Sequence, residues 1–214
     1  MLIYSPIVLI LALDVSIVYS YLYFLFTTFT FVFEGEYGFS TGEAGLAYLG
    51  LGVGFVIGQF GVGAFSDRYS RMKAKEGGMK PEHRLPPLIL GAFLIPIGLF
   101  WYGWSAQAHA HWMVPIIGTG FVGVGTLFAF LPIQVYLVDA FTIYAASAIA
   151  TNTVVRSLFG ATLPLAGQAL YNNLGLGWGN SLLAFIALAL SPVPFVLIKY
   201  GERIRTNPRF QPNL

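Results

Sequence analysis

The chain has 214 residues, of which 57% are hydrophobic and 9% charged, with a net charge of +2. Soluble domains carry roughly 25% charged residues, so these proportions exclude a water-exposed surface and with it a soluble fold. Apart from Arg156 the basic residues fall in two stretches, which argues against a nucleic-acid surface, and without Cys there is no disulfide, thiolate metal site or catalytic thiol.

A bilayer-crossing helix needs about 20 mostly apolar residues. Six such runs follow one another, approximately Ser5 to Phe31, Glu43 to Phe65, Pro87 to Ser105, Trp112 to Val138, Tyr144 to Leu170 and Gly179 to Ile198. The first continues to Phe33 with no basic flank or small-residue cleavage site, so it reads as a mature span and not as a signal peptide. The expected fold is an all-α membrane protein, a six-transmembrane-helix bundle over residues 1–198 followed by a cytoplasmic tail over 199–214. Pro208 and Pro212 keep that tail from forming a long helix.

Loops that stay in the cytoplasm retain Lys and Arg. The link over 66–86 holds Arg68, Arg71, Lys73, Lys75, Lys80 and Arg84, and the tail holds Lys199, Arg203, Arg205 and Arg209. The acidic link Glu34 to Gly42, the link Gln107 to His111 and the link Tyr171 to Trp178 contain neither Lys nor Arg. Both termini are therefore expected in the cytoplasm.

In the second span Gly50, Gly54 and Gly58 recur every four residues and share a face. Such a face lets a neighbouring helix approach closely, or serves a partner protein. Polar groups at membrane depth are functional candidates because they are expensive there. Asp14 lies near the middle of the first span and Arg156 at similar depth in the fifth. Two readings are open: the two form a buried ion pair, or Asp14 carries a proton and Arg156 faces an anionic or polar substrate. Tyr19 and Tyr23 lie four apart with Phe26 and Thr27 continuing the face, either as helix packing or as an aromatic wall for flat or cationic molecules. At 100° per residue Asp14 points about 180° away from Tyr23, so the two do not face one cavity. Gln134 offers a neutral polar group in the fourth span, and Asn152 lies one turn before Arg156 on the same face. Asp139 falls at a helix end, in a structural or gating position.

His83, His109 and His111 all fall in links, so no deep Ser–His pair is available, and the nucleophile-elbow, phosphate-loop and H-E-x-x-H patterns are missing. An intramembrane enzyme is disfavoured, no cofactor or metal is expected, and His109-Ala110-His111 reads as a solvated loop.

The segment Gly63-Ala64-Phe65-Ser66-Asp67-Arg68-Tyr69-Ser70-Arg71 resembles the short loop motif between the second and third helices of each half of the major facilitator superfamily. Pro81-Glu82-His83-Arg84-Leu85-Pro86, Tyr136-Leu137-Val138-Asp139-Ala140-Phe141, Arg156-Ser157-Leu158-Phe159-Gly160 and Leu174-Gly175-Leu176-Gly177-Trp178-Gly179-Asn180 resemble, in that order, the C-terminal six-helix half of fungal multidrug transporters of the drug:proton antiporter type. That resemblance implies two six-helix halves rocking around a central cavity, with this chain supplying one. It implies transport of small drug-like or hydrophobic molecules coupled to protons, in the plasma membrane, together with a complementary half. Gly63, Asp67, Arg68 and Arg71 become a cytoplasmic gating motif. Tyr19, Tyr23, Gln134, Asn152 and Arg156 become substrate-binding candidates.

Overall fold

The computed structural model describes residues 6–77 and 81–205, apart from the side chains of residues 70, 73–77, 143 and 205. Helix α1 (Pro6–Tyr37) opens on a proline, whose fixed φ suits a first helical position. It runs well past Phe31, because its Phe-rich last turns pack against Tyr37 and Phe39 instead of ending at the membrane surface. Ser40 then caps the short α2 (Thr41–Ala44): its hydroxyl accepts from the Glu43 N–H, and the Glu43 carboxylate accepts from the Ser40 N–H in return. A 3-10 turn, Gly45–Ala47, leads into α3 (Tyr48–Gly77).

The link expected over 66–86 is corrected here: α3 stays helical to Gly77, and a 3-10 turn at Pro81–Arg84 precedes α4 (Pro86–Gln107). Charged residues end the apolar run, but Asp, Arg and Lys continue a helix in water at little cost. Helix α5 (Met113–Phe141), α6 (Ala145–Thr162), a 3-10 turn at Leu163–Ala166, α7 (Gly167–Leu190) and α8 (Pro192–Arg205) complete the described chain. The tail is helical to Arg205, six residues past Lys199, while Pro208 and Pro212 lie outside the described residues.

Among the described residues five helical stretches are long and apolar enough to cross a membrane, the last covering Ala145–Ile204. At 1.5 Å per residue its 60 residues would span about 90 Å, against a hydrocarbon core of about 30 Å. Gly175 divides it. Its φ of 73° and ψ of 173° belong to a region essentially reserved for glycine, and there the chain folds back on itself. Tyr171 lies against Gly179 and its hydroxyl bonds the Asn180 side chain, contacts that a straight helix would hold about 12 Å apart. The break frees backbone donors, and the Gln107 side-chain oxygen accepts one of them, the Gly177 N–H, at 2.6 Å. The break at Gly175 turns the five stretches into six apolar helical segments.

Register between neighbours gives their directions. Glycines 50, 54, 58 and 61 of α3 meet residues 116–119, 120, 124–127 and 128 of α5 in the same order, so these two helices are parallel. Gly91 meets Gly125 and Ala129 while Gly98 meets Gly118 and Val122, so α4 and α5 are antiparallel. Gly160 rests on Tyr19 and Gly167 on Phe24 and Thr28, so α6 runs parallel to α1. The second leg of α7 runs against α4, with Leu176 and Asn180 beside Gly103 and the Trp104 indole donating to Ser181. Successive crossings therefore alternate. Both ends of the described chain meet on one side of the bundle, where Gly201 of α8 lies against Ile7 of α1 and Glu82 of the 3-10 turn.

Burial is uneven. Phe24, Phe29, Phe33 and Tyr21 of α1 are buried together with Tyr102 of α4 and Tyr136 of α5, whereas Val53, Ile57 and Phe60 of α3 are exposed. Gly50 and Gly54 meet the α5 backbone directly, so the four-residue glycine spacing serves packing within the chain.

Candidate functional site

The stripe Ala148, Asn152, Arg156 and Gly160 runs along α6 at four-residue spacing, and the backbone lays it beside α1. At Gly160 a Cβ would come to 3.0 Å from the Tyr19 ring, a contact tight enough that the ring would have to shift, so glycine here favours close approach of the two helices. One turn earlier the Arg156 guanidinium carbon sits 4.8 Å from the Tyr19 ring centroid and 5.1 Å from that of Phe130 on α5. Both distances suit attraction of a cation to a ring face. Tyr19 and Tyr23 share a 3.1 Å hydroxyl contact, with their rings 4.8 Å apart. The aromatic series continues through Phe26 to Tyr48 at the start of α3, whose hydroxyl donates to the Phe26 carbonyl at 2.8 Å.

Three of the expected site residues, Tyr19, Tyr23 and Arg156, thus form one cluster. Gln134 is half-buried one turn beyond Phe130 on α5. Asn152 is fully buried, and neither atom of its amide has a hydrogen-bond partner. Tyr23 stays 40% exposed and Arg156 is half-buried, so the cluster forms an open wall on the surface of the bundle.

The Asp14–Arg156 ion pair does not form. The five residues from Asp14 to Tyr19 turn the helix by about 140°, which points the carboxylate to the other side of α1. There Asp14, 7% exposed, opens into a cavity of about 20 Å³ bounded by Tyr21, Leu88 and Ile95 on α1 and α4 and by Ala129 and Ala187 on α5 and α7. That volume suits about one water molecule. Asp14 has no ion pair with any described residue, and the buried Tyr21 hydroxyl beside it has no hydrogen-bond partner.

Gly63, Asp67, Arg68 and Arg71 are exposed along the last turns of α3, and a Cβ at Gly63 would meet nothing. Asp67, Arg68 and Arg71 border one shallow depression with Ala64 and Met72. At the same end of the bundle Arg84 donates from Nε to Asp139 at 3.2 Å, joining the turn before α4 to the end of α5. At the opposite end His109 pairs with Glu36 at 3.4 Å.

Phe130, Gly160, Tyr21 and the Arg84–Asp139 pair are the additions made by structure. Arg156-Ser157-Leu158-Phe159-Gly160 already carried the spacing that stacks Gly160 over Arg156; Phe130 had no signal to separate it from the other aromatic residues of α5.

Residues 2–164 match the Major Facilitator Superfamily, and the chain belongs to that family. It is 59% identical over 212 residues to the MFS-type transporter penM of Penicillium rubens, covering 99% of this chain and 42% of that protein. Against the MFS transporter cpaT of Aspergillus oryzae it is 61% identical over 180 residues, covering 83% of this chain and 36% of the relative. Against the efflux pump radE of Floropilus chiversii it is 50% identical over 217 residues, covering 100% and 40%. The chain spans less than half the length of these curated relatives.

Proposed function

We propose that the chain forms the second six-helix half of a proton-coupled facilitator that moves small hydrophobic or drug-like molecules by alternating access. The observation that carries this reading is the open wall of Tyr19, Tyr23, Phe130 and Arg156, built from three helices in a chain of the major facilitator family. In alternating access the substrate sits at mid-membrane between two halves that rock about it. A wall open on one half gives substrate such a seat, and Gln134 and Asn152 border it. Asp14, in a separate apolar cavity, is the proton carrier: a carboxylate shut away from substrate changes charge without competing for it.

The side of the bundle that holds Arg68, Arg71, Arg84, Lys199 and Arg203 faces the cytoplasm, with both termini, in the plasma membrane. Gly63, Asp67, Arg68 and Arg71 act as a gate on that side. The exposed apolar side chains of α3 and α6, Phe60 at 76% and Leu158 at 64%, support docking of a complementary six-helix half.

Nile red in proteoliposomes provides the test. With the N-terminal half of penM coexpressed, an inward proton gradient is expected to drive dye movement. No movement, with or without that N-terminal half, overturns transport and leaves a partner-binding or inactive membrane protein.

A further inference from the structure

We propose that Arg156 is an anion receptor, so that among the apolar molecules accepted at the α1–α5–α6 wall, aromatic compounds bearing one anionic group, such as a carboxylate, are preferred. This deepens the reading of that wall as the substrate seat and rests on it for transport, though not for binding.

Arg156 is a permanent cation in the middle of a membrane-spanning segment, where a charge calls for a partner of opposite sign. Among the described residues no carboxylate pairs with it: Asp14 faces the far side of α1, and the Arg84–Asp139 and His109–Glu36 contacts are at the ends of the bundle. Its neighbours are ring faces, which hold a guanidinium but leave its charge uncompensated. Its Nε is shut off from solvent and has no acceptor. One turn away Asn152 is fully buried with both amide atoms unpartnered, a second polar group on the same stripe with nothing to bind. Unmet donors in a family of paired halves await an acceptor from outside this chain.

The rings decide the rest of the substrate. Tyr19 already offers its face to Arg156, so a cationic aromatic molecule would compete with the guanidinium and be repelled by it. An anion is attracted to the fork of N–H donors, which matches a carboxylate with two parallel hydrogen bonds, while Tyr23 supplies exposed ring surface for an apolar body. The aromatic face, read from sequence either as helix packing or as a wall for flat or cationic molecules, thereby becomes a wall for flat molecules that carry an anion.

The test compares 1-naphthoate with the uncharged 1-naphthamide by equilibrium dialysis against the full 214-residue chain in nanodiscs at pH 7.5, subtracting protein-free nanodiscs. Hydrogen bonds to a charged group predict that naphthoate binds about tenfold or more tightly than naphthamide. Arg156→Gln should abolish this preference by lowering naphthoate binding to the level of naphthamide, with an unchanged helical signal in circular dichroism reporting that the variant is folded. Arg156→Lys should keep part of the preference. Equal affinity for the two probes, no saturable naphthoate binding, or an undiminished preference in Arg156→Gln each overturns the proposal. Flux is read separately: Arg156-dependent naphthoate binding without movement in proteoliposomes upholds the anion receptor and refutes transport, whereas Nile red movement without a charge preference does the reverse.

Discussion

Tyr171 and Asn180, nine residues apart in one helical stretch, bond side chain to side chain, the amide nitrogen donating to the phenol oxygen at 3.0 Å. They meet because Gly175 turns the chain back, and through them the two legs of the last hairpin hold each other while packing on α1 and α4. Replacing Gly175 with Ala places a Cβ in a conformation that costs about 1–3 kcal/mol. Thermal unfolding in detergent should show a lowered midpoint for Gly175→Ala, whereas Gly42→Ala, where a Cβ meets nothing, should not show it.

The glycines of α3 divide into two groups by what stands over them. A Cβ at Gly54 would collide with the Gly120 carbonyl of α5, backbone that has no rotamer to yield, while one at Gly52 meets nothing. Gly54→Ala should force the helices apart and lower the unfolding midpoint by several degrees. Gly52→Ala should be neutral or gain up to about 1 kcal/mol from helix propensity. The same melting series, with an unchanged midpoint for Gly54→Ala as the contrary result, checks both.

For Arg156 over Tyr19, a double-mutant cycle of Arg156→Gln with Tyr19→Leu should give a coupling of about 0.5–2 kcal/mol. Tyr19→Phe keeps the ring and should retain most of it, losing only the 3.1 Å contact with the Tyr23 hydroxyl. A coupling near zero would show that the ring and the guanidinium are merely neighbours.

Asp14→Asn keeps the shape of the side chain in its cavity but removes any charge. The lining is apolar, so the unfolding midpoint should hold or rise, because a buried unpaired carboxylate is itself a cost. If Asp14 carries the proton, Nile red movement in Asp14→Asn loses its response to the proton gradient. A gradient response equal to the parent's assigns the proton to another residue.

Arg84 and Asp139 are 20% and 36% exposed, so their ion pair is expected to contribute at most about 1 kcal/mol. Arg84→Gln with Asp139→Asn in a cycle should yield a coupling below that limit which shrinks in 1 M salt.

Hydropathy made the apolar helices legible because each apolar run is long, and the placement of Lys and Arg in the link over 66–86 and in the tail indicated an even number. It misplaced the end of α3, since an apolar run stops at the first charges whereas backbone hydrogen bonding continues through Arg71 to Gly77. The last turn was placed correctly within Tyr171 to Trp178, yet only the backbone distinguishes Gly175 from Gly177. Helical rotation separated Asp14 from the Tyr19–Tyr23 face in advance. It gave no partner for Arg156, because depth alone puts Asp14 and Tyr19 at comparable levels and the choice depends on which side of α1 meets α6.

The sidedness of Asp14 also bears on how the protein is made. A helix enters the bilayer before the helices that follow it in the chain exist, so α1 must accept its carboxylate without help from α4, α5 or α7. An Asp at the centre of an inserting helix costs about 2.5–3.5 kcal/mol, which roughly seven Leu, Ile, Phe or Val residues offset. With a mean hydropathy of 2.0, α1 has that excess to spare. Insertion of α1 therefore requires no counter-charge, and the cavity around Asp14 is assembled only when later helices close over a residue already in place.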